Sequence, residues 1–349
     1  MTEIRLDVKG DGDNRLKLDW KTIASDEWWY HVDRRALCDR GKTARLRLQD
    51  LVDAAMANKP LSVPLKNLAR AGADLRERIF SSEPEPDIPG AENWGVEADK
   101  WFLGASEAIL HLRIDQRVYI PWGLAYDGDP DKLPDDDKVC QNIGTYAGFW
   151  CVKYKLSTLY NRIRDSVVKQ PRPVSSATRV KLVHQGAWTL ASKSLSSEEK
   201  ALDALLFNHT IDSKDGFNAE WKKKKRNETD LLYVFGHSNG IALEFSKGQV
   251  LSIDEFKDNI RRSPPQEKPA CIVFMNGCQT VIGDDEKGGF LEATGYMGYC
   301  GFIGAEAKIP DVFALRFGNL FLTRLLYSGD RTIHVMHQMR VEHWPLSLV

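Results

Sequence analysis

The sequence predicts an α/β protein whose second half is built on a mostly parallel sheet flanked by helices. Three observations carry this expectation. Short runs apolar on both faces recur at RVKLVH (179–184), LLYVFGH (231–237) and PACIVFMNGC (269–278). Helical stretches fall between and after them, at LSSEEKALDALL (195–206) and IDEFKDNIRR (253–262). Strands buried on both faces that alternate with helices form a parallel sheet covered on both sides. With 349 residues, at roughly 100–200 per domain, the chain has material for two or three packing units.

In chain order, residues 1–20 alternate as IRLDV, KGDGDN and RLKLDW, two half-buried strands around a Gly/Asp/Asn turn. Between 43 and 80 the period changes. Leu46, Leu48, Leu51, Val52, Ala55 and Met56 share one helix face, Leu65, Leu68, Ala69, Gly72, Leu75 and Ile79 another, with Pro60 and Pro64 separating them. SSEPEPDIPG (81–90) reads as an exposed connector, AILHLRI (108–114) as a strand, and YIPWGLAYDGDPDKLPDDDK as a tight aromatic turn entering a solvated loop. In the second half, Ser197 begins a capping pattern, IALEFSKGQVLS (241–252) is a hairpin around Lys247-Gly248, and residues 289–297 are helical. A strand YCGFIGAE (299–306) and helices at 312–327 and 331–340 complete the series. WKKKKR (221–226) reads as the solvated face of a helix rather than a nucleic-acid patch, because it is short and no aromatic residues on neighbouring elements support it.

Charge and cysteine usage exclude several classes. Forty-eight basic residues against 49 acidic ones leave a formal charge of −1, so no global field attracts nucleic acid or a membrane surface. The opening MTEIRLDVKGDGD is charged where a signal peptide is apolar, and no run nears ~18 apolar residues, so a cytoplasmic protein is expected. The six cysteines, at 38, 140, 151, 271, 278 and 300, form no CxxC pair and have no histidine at ligand spacing. Neither a metal, a cofactor nor a disulfide framework is expected. Cys278 differs from the others because it ends an apolar strand in a glycine turn.

Functional residues of parallel sheets collect at the carboxyl ends of strands. Two strands here end in reactive side chains, one in Gly236-His237-Ser238-Asn239-Gly240 and one in Asn276-Gly277-Cys278-Gln279-Thr280. GHSNG matches a G-x-S-x-G nucleophile elbow with Ser238 as nucleophile, but such an elbow opens into a helix. Ile241–Phe245 alternates toward a Lys-Gly turn instead. The stronger reading is a dyad of His237 and Cys278, in which the imidazole takes the thiol proton and returns it to a leaving amine. The backbone N–H groups of Ser238 and Cys278 are the candidate oxyanion donors. Taken singly, a cysteine is more often a buried thiol and a histidine a bonded loop residue; their joint placement at two strand ends favours the dyad.

With those residues in view, the chain resembles the CHAT peptidases, caspase-like cysteine proteases of the group that includes caspases, separases and gingipains. That group carries its histidine after one strand and its cysteine after the next. Ile120-Pro121-Trp122-Gly123-Leu124-Ala125-Tyr126-Asp127 is similar to the family's PWELLYD segment, and LARAGADLRERIF (68–80) to the helix before it. Gly301-Phe302-Ile303-Gly304, Pro310, Phe313-Ala314, Phe317 and Leu325-Leu326 resemble its closing strand and helix, so the likeness spans about residues 45–342. Three positions depart from it: Ser238 for a glycine after the histidine, Asn276-Gly277 for Ser-Ala before the cysteine, and Gly123 for the acid of PWE.

The resemblance implies a caspase-like catalytic subdomain over 175–349 beside a degenerate N-terminal companion over 1–170, with Trp122 and Tyr126 as packing residues. It implies a cysteine endopeptidase acting on a specific protein in bacterial signalling or anti-phage defence, a gasdermin-like pore former being one such substrate. It places Glu306 and Asp311 where relatives build pocket walls, which would favour a basic P1 residue. DDEKGG (284–289) is a candidate activation loop, and any control would come from a regulatory partner protein or an activating protease. The alternatives are an inert caspase-fold binding module and a serine hydrolase using Ser238.

Overall fold

The computed structural model describes residues 3–12, 14–22, 27–83, 90–103, 108–114, 118–140, 143–160, 180–184, 192–197, 200, 210–211, 213–222, 231–245, 248–261, 272–280, 289–296 and 301–342. Most of the expected helix at 195–206, the end of WKKKKR and nearly all of DDEKGG lie outside the described residues. The chain is a mixed α/β protein and divides into two compact units, Met1–Asn161 with Met336–Val349, and Arg162–Val335.

In the first unit, β1 (Glu3–Asp11) and β2 (Arg15–Thr22) form the expected hairpin, closing at the pair Asp11↔Arg15 with Gly12 at φ 75°. A third antiparallel strand, β3 (Glu27–Asp33), pairs with β2, while β4 (Ile109–Ile114) and β5 (Lys155–Tyr160) run parallel to β1. The order is β3-β2-β1-β4-β5. Helix α1 (Arg34–Met56) starts earlier than its apolar period indicates, because the Asp33 carboxylate accepts from Ala36 N–H at 2.7 Å and caps it directly off β3. In α2 (Ser62–Ile79), Pro64 sits in the first turn, where a missing N–H costs no helical bond. Helix α3 (Trp94–Leu103) contributes Phe102 to an aromatic core with Trp20, Phe80, Trp150 and Tyr154. Trp122 and Tyr126 are buried, as packing residues would be. At Gly123 a Cβ would lie 2.9 Å from Cys151 Cβ, so no side chain fits there as the backbone stands.

The second unit holds five parallel strands in the order β12-β11-β8-β6-β7. These are β6 (Val180–His184), β7 (Thr210–Ile211), β8 (Leu231–Phe235), β11 (Ile272–Asn276) and β12 (Gly301–Gly304). Between β8 and β11, β9 (Ala242–Glu244) and β10 (Val250–Ser252) form the expected hairpin, with Gly248 at φ 70°. Helices α4 (Lys214–Lys222), α5 (Ile253–Arg261) and α6 (Phe290–Tyr296) bring Phe217, Phe256 and Phe290 onto Leu232, Val234, Val273 and Met275. The alternate residues of the same strands point the other way, where Phe274 meets Phe321 of α7 (Asp311–Tyr327). All five residues of β8 are buried, which accounts for its unbroken apolar run. A last helix, α8, spans Thr332–Glu342.

Candidate active site

The two reactive turns are brought together by strand register. Strands β8 and β11 pair in parallel, and their last registered pair is Phe235↔Asn276. One residue further, a Cβ on Gly277 would lie 2.6 Å from Gly236 O and 3.4 Å from Ser238 Cβ, so the turns touch backbone to backbone there. Glycine is required at 277 for that approach. His237 and Cys278 therefore leave neighbouring strands at equivalent positions.

Each turn is fixed locally. On the histidine side, Ser238 bridges Leu243 in antiparallel fashion, with Glu244 N–H donating to His237 O at 3.0 Å and Asn239 N–H to Ala242 O at 3.3 Å. This is a non-hydrogen-bonded pair, so the Ser238 N–H is turned away from Leu243. Ser238 Oγ accepts from Gly240 N–H at 3.1 Å, and the chain continues into β9. No helix opens after GHSNG, so the setting of a serine nucleophile elbow is missing. On the cysteine side, Asn276 donates its amide to Tyr233 Oη at 2.6 Å and to Ala314 O at 2.5 Å. Gln279 holds φ 55°, unusual for a side-chain-bearing residue, and gives its N–H to Ala307 O at 3.1 Å. Thr280 Oγ1 donates to Met275 O and accepts from Ala305 N–H, both at 2.9 Å. The Cys278 turn is thereby clamped to the segment that follows β12. Neither the Ser238 nor the Cys278 N–H is spent on another described residue.

The thiol itself faces that segment. Ile309 N–H donates to Cys278 Sγ at 3.4 Å, and the thiol lies 3.7 Å from Ile309 O. Among the described residues these are its hydrogen-bond contacts, and none is made to His237. Burial raises the Cys278 thiol above its ordinary pKa. The Ile309 N–H and the charge of Lys308 pull it down, and the Asp311 carboxylate pushes it up. The balance keeps the resting sulfur protonated near neutral pH, so the geometry suits proton removal as an electrophile arrives rather than a preformed ion pair.

Of the two predicted pocket acids, Asp311 is the first residue of α7, and its Oδ2 lies 3.9 Å from His237 Nε2. Glu306 is half-buried between Ala305 and Ala307, the two residues tied to Thr280 and Gln279. The Ile309 contact and the Asn276–Tyr233 pair escape sequence reasoning. The second left a trace, one amide in an otherwise apolar run. Among the described residues, no group of three His, Cys, Asp or Glu side chains could hold a metal, and no helix is long and apolar enough to cross a membrane. No protein-family model matches the chain, and no curated protein matches it.

Proposed function

We propose that the chain is a cysteine endopeptidase that uses a His237–Cys278 dyad, with a caspase-like second unit as the resemblance implies. The observation that carries this reading is the register of β8 and β11, continued by the backbone contact of Gly236 with Gly277. In the reaction, the sulfur swings from Ile309 toward the substrate carbonyl and gives its proton to the His237 imidazole. The sulfur lone pair then forms the C–S bond, and the carbonyl π electrons move to oxygen, where Ser238 and Cys278 N–H groups donate to the oxyanion. Collapse breaks the C–N bond, and the imidazolium proton goes to the departing amine. Water, deprotonated by His237, releases the acyl group and restores the thiol.

The substrate class follows from the resemblance alone: a specific protein in bacterial signalling or defence, a gasdermin-like pore former among them, with control by a partner protein or an activating cut. The Ile309 contact favours the second reading, a caspase-fold binding module with an idle thiol.

Iodoacetamide with peptide mapping separates the two. Cys278 should be alkylated several-fold faster in the wild type than in His237→Ala, and fluorophosphonate should leave Ser238 unlabelled. Equal rates at Cys278 would mark the idle module. Proteomes exposed to wild type and to Cys278→Ala would then give the substrate as amino termini present only with the former. Where that substrate is in hand, His237→Ala should lower cleavage by ~100-fold or more.

A further inference from the structure

We infer that Asp311 is a positioning residue for His237, holding the Nε2 side of the ring so that Nδ1 is the nitrogen presented to the Cys278 thiol. This rests on the dyad reading and gives it a third member that no spacing in the sequence reveals. The carboxylate Oδ2 stands 3.9 Å from Nε2, and both side chains are about half exposed, at 41% and 51%. That is longer than a hydrogen bond, so the resting contact is electrostatic, and a small turn of the ring closes it.

The carboxylate is held where it is by the strand that carries the nucleophile. Asp311 begins the 17-residue helix α7, whose Ala314 carbonyl accepts from Asn276 of β11 at 2.5 Å. Two residues before it, Ile309 touches the Cys278 sulfur. Acid, sulfur and strand end therefore form one block against which the imidazole is placed. An imidazole with its Nε2–H directed at a carboxylate keeps the other nitrogen unprotonated as base, and the imidazolium formed after proton transfer is stabilised by the same charge. The competing role for Asp311 is that of an ordinary acid at a helix start, which would act on α7 and not on the ring.

A double-mutant cycle tells the two apart. The second-order rate constant for iodoacetamide at Cys278 is measured for wild type, His237→Ala, Asp311→Ala and the double variant, with Asp311→Asn run in parallel because it keeps the shape at the helix start. The direct effect of the Asp311 charge on the thiol is present with or without the imidazole and cancels in the ratio. The acceleration due to His237 should fall by about threefold or more when Asp311 is replaced, and return with Asp311→Glu. The ring ¹⁵N shifts of His237 should report the Nε2–H tautomer in the wild type and a mixture in Asp311→Ala. An unchanged ratio in both the Ala and Asn backgrounds overturns the inference and leaves the dyad standing. If His237→Ala fails to slow alkylation in the wild-type background, the dyad reading falls and this inference with it.

Discussion

Asn276 is 4% exposed at the end of β11, and it spends both amide hydrogens on groups that have left water: Tyr233 Oη at 2.6 Å and Ala314 O at 2.5 Å. Its oxygen-and-nitrogen head takes the place of an apolar side chain because it joins β8, β11 and α7 directly beneath the Cys278 turn. Gly318 of α7 lies against the same pair, since a Cβ there would stand 2.1 Å from Tyr233 Oη. Replacing Asn276 with leucine leaves the buried Tyr233 hydroxyl short of a donor, at about 1–3 kcal/mol, while the Ala314 carbonyl loses a second donor but keeps its helical one. Asn276→Leu should therefore lose about 1–3 kcal/mol of unfolding free energy in a urea titration, while Tyr233→Phe loses about 1 kcal/mol. A leucine variant as stable as the wild type would mean that the amide pair contributes nothing beyond its shape. The amide of Asn276 reaches a helix carbonyl that a serine side chain at that position would be too short to reach.

Where elements meet in the first unit, one carboxylate does the joining. Asp127 accepts from Arg76 Nε at 2.8 Å, Trp150 Nε1 at 2.7 Å, Lys153 Nζ at 2.5 Å and Tyr154 Oη at 3.2 Å. Arg76 comes from α2 and also binds Asp99 of α3, so Asp127 joins α2 to the segment leading into β5 and reaches α3 through Arg76. Removing it leaves Arg76 with Asp99 alone and strands the partly buried Lys153 cation and two ring donors. Asp127→Ala should cost about 3–5 kcal/mol, and Asp127→Asn less, read from the urea midpoint. Elements with a clean period were legible in the sequence: the β1–β2 and β9–β10 hairpins, α2, and the apolar strands β6, β8 and β11. β3 was not, because EWWYHVD runs into α1 with no turn residue between Asp33 and Arg34. α3 was not, because two of its three buried positions are Gly95 and Ala98, which leave almost no apolar stripe. KLSTLY of β5 is too polar to stand out. At the site, His237 and Cys278 were legible because each lies just past an apolar run. The Ile309 contact is made by backbone, and the Asp311–His237 distance joins residues 74 apart, so neither leaves a mark in composition or spacing.

Among the described residues, the groups shifted furthest by folding titrate in alkali. Burial pushes the Cys151 thiol up to about 11 and raises Tyr30 well beyond its ordinary range. Tyr154 is raised by burial first, and then by the charge of Asp127 and the hydrogen bond to it. All three belong to the first unit. Each native pKa lies above its unfolded value, so the stability it contributes is complete below the unfolded pKa and is lost as pH rises toward the native one. With unfolded values near ~8.5 for cysteine and ~10 for tyrosine, urea midpoints should begin to fall above about pH 8.5 and fall more steeply above about pH 10. Tyrosinate absorbance supplies the second reading. The chain has ten tyrosines, and Tyr30 and Tyr154 should stay unionised until the fold opens, their absorbance rising together with the loss of far-UV dichroism. Ionisation of all ten near pH 10 with dichroism intact would refute the buried placement of these two rings. Cys151→Ala separates the thiol's share, since that variant should lack the first, shallower decline.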